Sequence, residues 1–134
     1  MGRRERAQKQ RRESTPATTL DGRGVVAKAI ARNVRVAPRK VAIIAHELRN
    51  KTVAEAFEIL DFLHRPSAVP HLRKVLKSAV ANAEDTAPEP MALTIGEIRV
   101  EGAPMMKRIR PASMGRAVRI RKRMSHIKIY LTEE

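Results

Sequence analysis

Apolar residues recur along this chain with two different periods, and the switch between them divides it into elements. From Val25 to Val36 β-branched and apolar residues crowd together, with Lys28, Arg32 and Arg35 between them, which predicts a strand. Pro38 then takes the first position of a helix, behind Ala37, which is a poor cap. Val41, Ile44, Ala45 and Leu48 form one stripe of that helix, and Asn50 or Lys51 is expected to end it. Thr52 and Glu55 have the spacing of a capping box and start a second helix, on which Val53, Ala56, Phe57 and Leu60 share a face. A third helix, capped by Ser67 with Pro70 in its first turn, is predicted to run to about Glu84. Val69, Leu72, Leu76, Ala79, Val80 and Ala83 line its inner face, and Arg73, Lys74 and Lys77 lie away from it.

Beyond Pro88 and Pro90 the period falls to two. Leu93 to Val100 and Val118 to Leu131 read as two strands, and Gly102 to Ala117 between them as the long tip of a hairpin. Connections of that length are uncommon inside compact domains and usually functional. Both strands change phase: Leu93 and Ile95 oppose Ile98 and Val100, which predicts a bulge near Gly96, and Val118 and Ile120 oppose Ile127, Ile129 and Leu131. The tip's apolar residues, Met105, Met106, Ile109 and Met114, are too few for a core, so the tip is expected to order only against an outside partner.

Charge names the class of that partner. The 134 residues carry a formal net charge of +14, unevenly spread. Residues 1–40 hold 12 basic and 3 acidic side chains, residues 41–101 hold 7 and 9, and residues 102–132 hold 9 and none. A near-neutral body between two basic ends is the footprint of a polyanion-binding protein. Residues 1–24 read as a basic arm and residues 25–134 as one domain, with the hairpin at about 93–131. Phe57, Phe62 and Tyr130 are the only aromatics, which excludes the base-stacking platforms of single-strand readers and leaves backbone and shape recognition.

The remaining chemistry is sparse. Without cysteine there is neither a disulfide nor a thiolate zinc site. His46, His64, His71 and His126 lack ligand spacing as a set, and no phosphate loop, nucleophile elbow or metalloprotease signature is present. Glu55, Glu58 and Asp61 have no converging histidine and read as a solvated face. No catalytic residue, metal or cofactor is therefore expected. The longest apolar run of the body, Val41 to Ala45, is too short for a bilayer, so a soluble, cytoplasmic protein is expected. A nucleic-acid chaperone or DNA-compacting protein would use the same cations, with minor-groove arms and apolar wedges.

The residues resemble a known family, the bacterial form of protein twenty-two of the large ribosomal subunit. The resemblance rests on Val34-Arg35-Val36 with Pro38-Arg39-Lys40, on Lys74 to Glu84, on Gly102 to Pro111, on Gly115-Arg116-Ala117 and on Ile120 to Ile127. It implies a small α+β domain, three helices on a three-stranded antiparallel sheet with a long protruding hairpin. It also implies a non-enzymatic role in which large-subunit ribosomal RNA is bound, assembly is supported and the hairpin tip lines the nascent-peptide exit tunnel. The implied partners are that RNA, neighbouring large-subunit proteins and the nascent peptide, with no membrane and no homo-oligomer. Carried over, the exit-tunnel tip comprises Met105, Met106, Lys107, Arg108, Ile109 and Arg110, within a tip that extends to Met114. The RNA-contacting set is Lys28, Arg32, Arg35, Arg39, Lys40, Lys107, Arg108, Arg110, Arg116, Arg119, Arg121, Lys122, Arg123, His126 and Lys128. Two positions depart from the pattern: Ala37 stands where the family commonly has a capping Ser, and Ala112 where it tends to have Arg.

Overall fold

In a computed structural model describing residues 24–133, three helices cover one face of a three-stranded antiparallel sheet of order β1-β3-β2. The elements are β1 (Val25–Val34), α1 (Pro38–Leu48), α2 (Val53–Phe62), α3 (Val69–Glu84), a 3-10 turn (Pro90–Ala92), β2 (Thr94–Pro111) and β3 (Ala117–Thr132). The α+β class and the helix-on-sheet arrangement are those expected. The basic arm, residues 1–23, lies outside the described residues.

Each helix forms for the reason its pattern suggests, with small corrections at the ends. The box on α2 is complete: Glu55 N–H donates to Thr52 Oγ1 and Thr52 N–H to the Glu55 carboxylate. Ala37 gives α1 no side-chain cap. That helix stops at Leu48, short of Asn50, because Arg49 turns extended and Asn50 takes a left-handed φ of 59°. The cap of α3 is Ala68 rather than Ser67; Ala68 is buried, and Pro70 still falls where no helical N–H is needed. Val75, left off the inner face in the periodic reading, is buried on α3 beside Leu72, Leu76, Ala79 and Ala83.

The core lies between these helices and the alternate residues Ala27, Ala29, Ile95, Ile98, Ile127, Ile129 and Leu131 of the sheet. The expected bulge is present: the β2–β3 register slips between Ile95 and Glu97, at Gly96. A Cβ on Gly96 would stand 2.6 Å from Thr132 Cγ2, so any side chain there must displace the buried Thr132 side chain.

The tip departs most from expectation. Gly102 to Ala117 is not a long loop: β2 runs on to Pro111, β3 begins at Ala117, and only residues 112–116 connect them. Main-chain bonding of two extended limbs orders this segment without a core. At the apex Ala112 N–H donates to Arg116 C=O at 2.9 Å, and Met114 (φ 61°) and Gly115 (φ 67°) both adopt left-handed backbone. Gly115 takes that conformation without a Cβ to oppose it, whereas Met114 is held in it by the reversal of the chain.

The second phase change has another cause than a bulge in the last strand. β3 is uninterrupted, and Val118 and Ile120 simply occupy the opposite face from Ile127. The extra residues belong to its partners: β2 slips between Ala103 and Met106, and β1 between Ala31 and Val34, where Asn33 is left-handed. β1 itself ends at Val34, two residues earlier than predicted.

Candidate nucleic-acid interface

Beyond the pair Gly102 and Ser125 the hairpin leaves the body, and register sorts its cations by face. Lys107 pairs with Arg121 and Ile109 with Arg119, on the side that continues the core-facing surface, and Arg123 follows at the next alternate position. Arg108 pairs with Ile120, Arg110 with Val118 and Met106 with Lys122 on the other side. Four cations therefore share one face, Lys107, Arg119, Arg121 and Arg123, and three the other. Arg116 lies in the connection. Along β3, Arg119, Arg121 and Arg123 stand about 6.6–6.8 Å apart per step.

None of these eight cations has a carboxylate partner among the described residues, and all eight are exposed. Arg108 bends back so that its guanidinium donates to Lys107 C=O at 2.9 Å and approaches Met106 Sδ at 3.9 Å. Ala103, Met106, Ile120 and Met124 are the half-buried residues of the extension, all on the face away from the helices. Folding alone does not gather like charges at this density; ion-pair attraction is absent and self-repulsion opposes it.

A second cationic group lies where the hairpin meets α1. Ala37, Pro38, Arg39, Lys40, Ile43 and Arg123 line a hollow of about 560 Å³. The start of α1, which has no side-chain cap, turns the positive end of its dipole toward the same region, which favours an anion. A third group flanks β1: Arg32 and Arg35 border a groove of about 550 Å³ with His71 and Lys74 of α3, over Ala29, Ala31 and Val75. Pattern reading missed His71 and Lys74 as binding candidates. The available signal was their position on the polar side of α3, but only the packing of α3 on β1 brings them beside Arg32.

The residues near the sheet's root differ from the rest. Lys28 is exposed on the outer face, opposite Tyr130. Lys128 is half-buried, and its ammonium lies 2.9 Å from Glu101 Oε1, so its charge is balanced locally. That hydrogen bond holds the Glu101 carboxyl below its ordinary range. His126 Nδ1 accepts the N–H of Asn33 at 3.1 Å. Nearby, Arg99 lies 5.6 Å above the Tyr130 ring and is paired with Glu97 at 2.5 Å, which raises its pKa further above the working range. These contacts balance Arg99 and Lys128 at the root of the β2–β3 pair, whereas Lys28 beside them and the cations of the hairpin have no carboxylate partner among the described residues. Among the described residues no group of acidic or histidine side chains is suited to a metal, and no helix is long and apolar enough to cross a membrane.

Comparison with known proteins agrees with this arrangement. The profile of the family described as Ribosomal protein L22p/L17e matches residues 29–132. The chain is similar to the large ribosomal subunit protein uL22 of Desulfitobacterium hafniense (strain Y51), with 48% identity over 109 residues, which covers 81% of this chain and 95% of that protein.

Proposed function

Because the chain belongs to the L22p/L17e family of ribosomal proteins, we propose that within the large ribosomal subunit it acts by placement, binding ribosomal RNA through phosphate and shape and catalysing nothing. The observation that carries this reading is the hairpin, whose eight cations have no carboxylate partner among the described residues. Its two faces suit two separate phosphate tracks, with Lys107, Arg119, Arg121 and Arg123 on one and Arg108, Arg110 and Lys122 on the other. The start of α1 with Arg39, Lys40 and Arg123 holds a further phosphate where the hairpin joins the body, and the groove of Arg32, Arg35, His71 and Lys74 fixes the orientation of the body. Residues 25–134 form the binding domain. Ordering several RNA segments around one rigid rod supports subunit assembly, and the apex, with Met105 to Arg110 behind it, lines the path of the nascent chain.

Backbone-directed cations distinguish folded RNA from a base sequence only by geometry, so affinity is strongly salt-dependent. The test is crosslinking of the full chain in cells, with the crosslinked nucleotides read out. Contacts confined to a few large-subunit RNA segments, with Arg119 and Arg110 on different segments, are expected. Scattered contacts, or recovery with nucleoid DNA in moderate salt, would favour a compaction protein instead.

A further inference from the structure

The end of the body opposite the hairpin apex has the reverse character. β2 starts and β3 ends there, and 18 residues of β2 separate it from the apex, about 55–60 Å of extended chain. Two hollows of about 510 and 210 Å³ open side by side and share Glu89 and Ala92. Their floor is apolar, built from Ala54 at the start of α2 with Pro88, Met91 and Ala92 around the 3-10 turn. Met91 is 46% exposed, a large apolar side chain that nothing in the fold requires at the surface. The rim carries the exposed carboxylates of Glu89 and Glu133, and among the described residues no basic side chain lines either hollow. Glu84 and Asp85, at the end of α3, are exposed just before it in the chain. Lys51, beside Thr52, is the nearest base in sequence.

Carboxylates at this density repel phosphate, so RNA is the wrong occupant, in contrast to the rest of the surface. An apolar floor with an acidic rim matches a chain whose Lys or Arg side chains lay their methylene stems along the floor and turn their charged ends to the rim. Methionine, unbranched and polarizable, adapts to such side chains. We propose that this groove docks a Lys/Arg-rich segment of another protein of the large subunit, so that the chain bridges RNA at its hairpin to protein at its opposite end. The proposal rests on the placement in the subunit argued above.

The chain lacks cysteine, so single probes can be placed cleanly. Full-length protein with Met91→Cys, or with Ala54→Cys as a second position, is labelled with a benzophenone, assembled into large subunits and irradiated; Ser113→Cys at the apex serves as a companion. The expected product at Met91 is a crosslink to a Lys/Arg-rich peptide of another subunit protein, mapped by mass spectrometry. Adding Glu89→Lys and Glu133→Lys should cut its yield about fivefold, equivalent to two exposed ion pairs of about 0.5 kcal/mol each. A crosslink from Met91 to ribosomal RNA, to residues 1–24 of the same chain, or to a segment without basic residues overturns the proposal. So does the absence of any crosslink at Met91 and Ala54 in subunits where the Ser113 probe reacts. Failure of the RNA-binding reading shows separately, as loss of RNA crosslinks from Ser113.

Discussion

Excision of the hairpin extension separates its binding role from the stability of the body. The place to cut is set by register. Asn82 Nδ2 donates to Lys28 C=O at 2.9 Å on the outer edge of β1, so Lys28 turns its backbone groups away from β3. Its partner Tyr130 therefore turns its own toward β2, and by alternation so do Lys128, His126 and Met124. Ala103 and Met124 are thus a hydrogen-bonded pair, the kind a two-residue Asn-Gly turn closes. Replacing residues 104–123 by that turn removes Lys107, Arg108, Arg110, Arg116, Arg119, Arg121, Lys122 and Arg123. No fully buried residue lies in the excised stretch, so the unfolding free energy of the isolated protein should change by no more than about 0.5–1 kcal/mol. Binding should change greatly. If each of the eight cations neutralises one phosphate, the slope of log K against log salt becomes shallower by about 6–7 units, at roughly 0.7–0.9 per phosphate. If only the face of Lys107, Arg119, Arg121 and Arg123 touches RNA, the change is about 3–4 units. Titration of a large-subunit RNA fragment at several salt concentrations reads the slope, and thermal melting reads the fold. An unchanged slope would refute the role given to these cations; collapse of the truncated protein would refute their independence from the core.

Other perturbations test the body. Leu76→Ala, at a fully buried position on α3, should cost about 2–5 kcal/mol by denaturant unfolding, whereas Arg73→Ala, whose partly exposed guanidinium pairs with Asp61, should cost no more than about 1 kcal/mol. Gly96→Ala should destabilise through contact with the Thr132 side chain, and Thr132→Ala in the same chain should recover part of the lost melting temperature; failure of that rescue would mean that the strain lies in the backbone. Glu101 has a pKa depressed from its ordinary 4.5, first by the hydrogen bond from Lys128. The pair's contribution is accordingly full above the unfolded value and fades as pH falls through the folded one, and Lys128→Met should move the Glu101 midpoint upward in a carboxyl NMR titration.

Helices were legible because their signals are local. Thr52 and Glu55 satisfy each other within one turn, and Pro38 and Pro70 sit where a helix tolerates them. Ends and faces decided by long-range packing were not: Val75 is buried only because β1 lies beside α3, and Ala68 displaces Ser67 as cap because the body covers it. The tip was misread for a related reason. Its side chains carry no alternation in hydrophobicity, since both faces are exposed, so the pattern that announces a strand was missing while its main-chain ladder remained. The hairpin cations were legible from sequence as candidates. Their division between two faces needed the register, and the helix contribution of His71 and Lys74 needed the tertiary fold.

The irregularities flanking β3 have a mechanical consequence. β1 ends opposite Ser125, and within two residues β2 slips against β3 between Ala103 and Met106. Lateral support and regular pairing are thus lost at nearly the same level, while β3 passes through unbroken. A cantilever bends where its cross-section narrows, so load applied at the apex concentrates as curvature at Pro104, Met105 and Arg123, and the limb beyond swings as one stiff lever. The Arg123 side chain, at that fulcrum, shares a hollow with the start of α1, so deflection of the apex would be felt first at the root of the lever, far from where the force is applied.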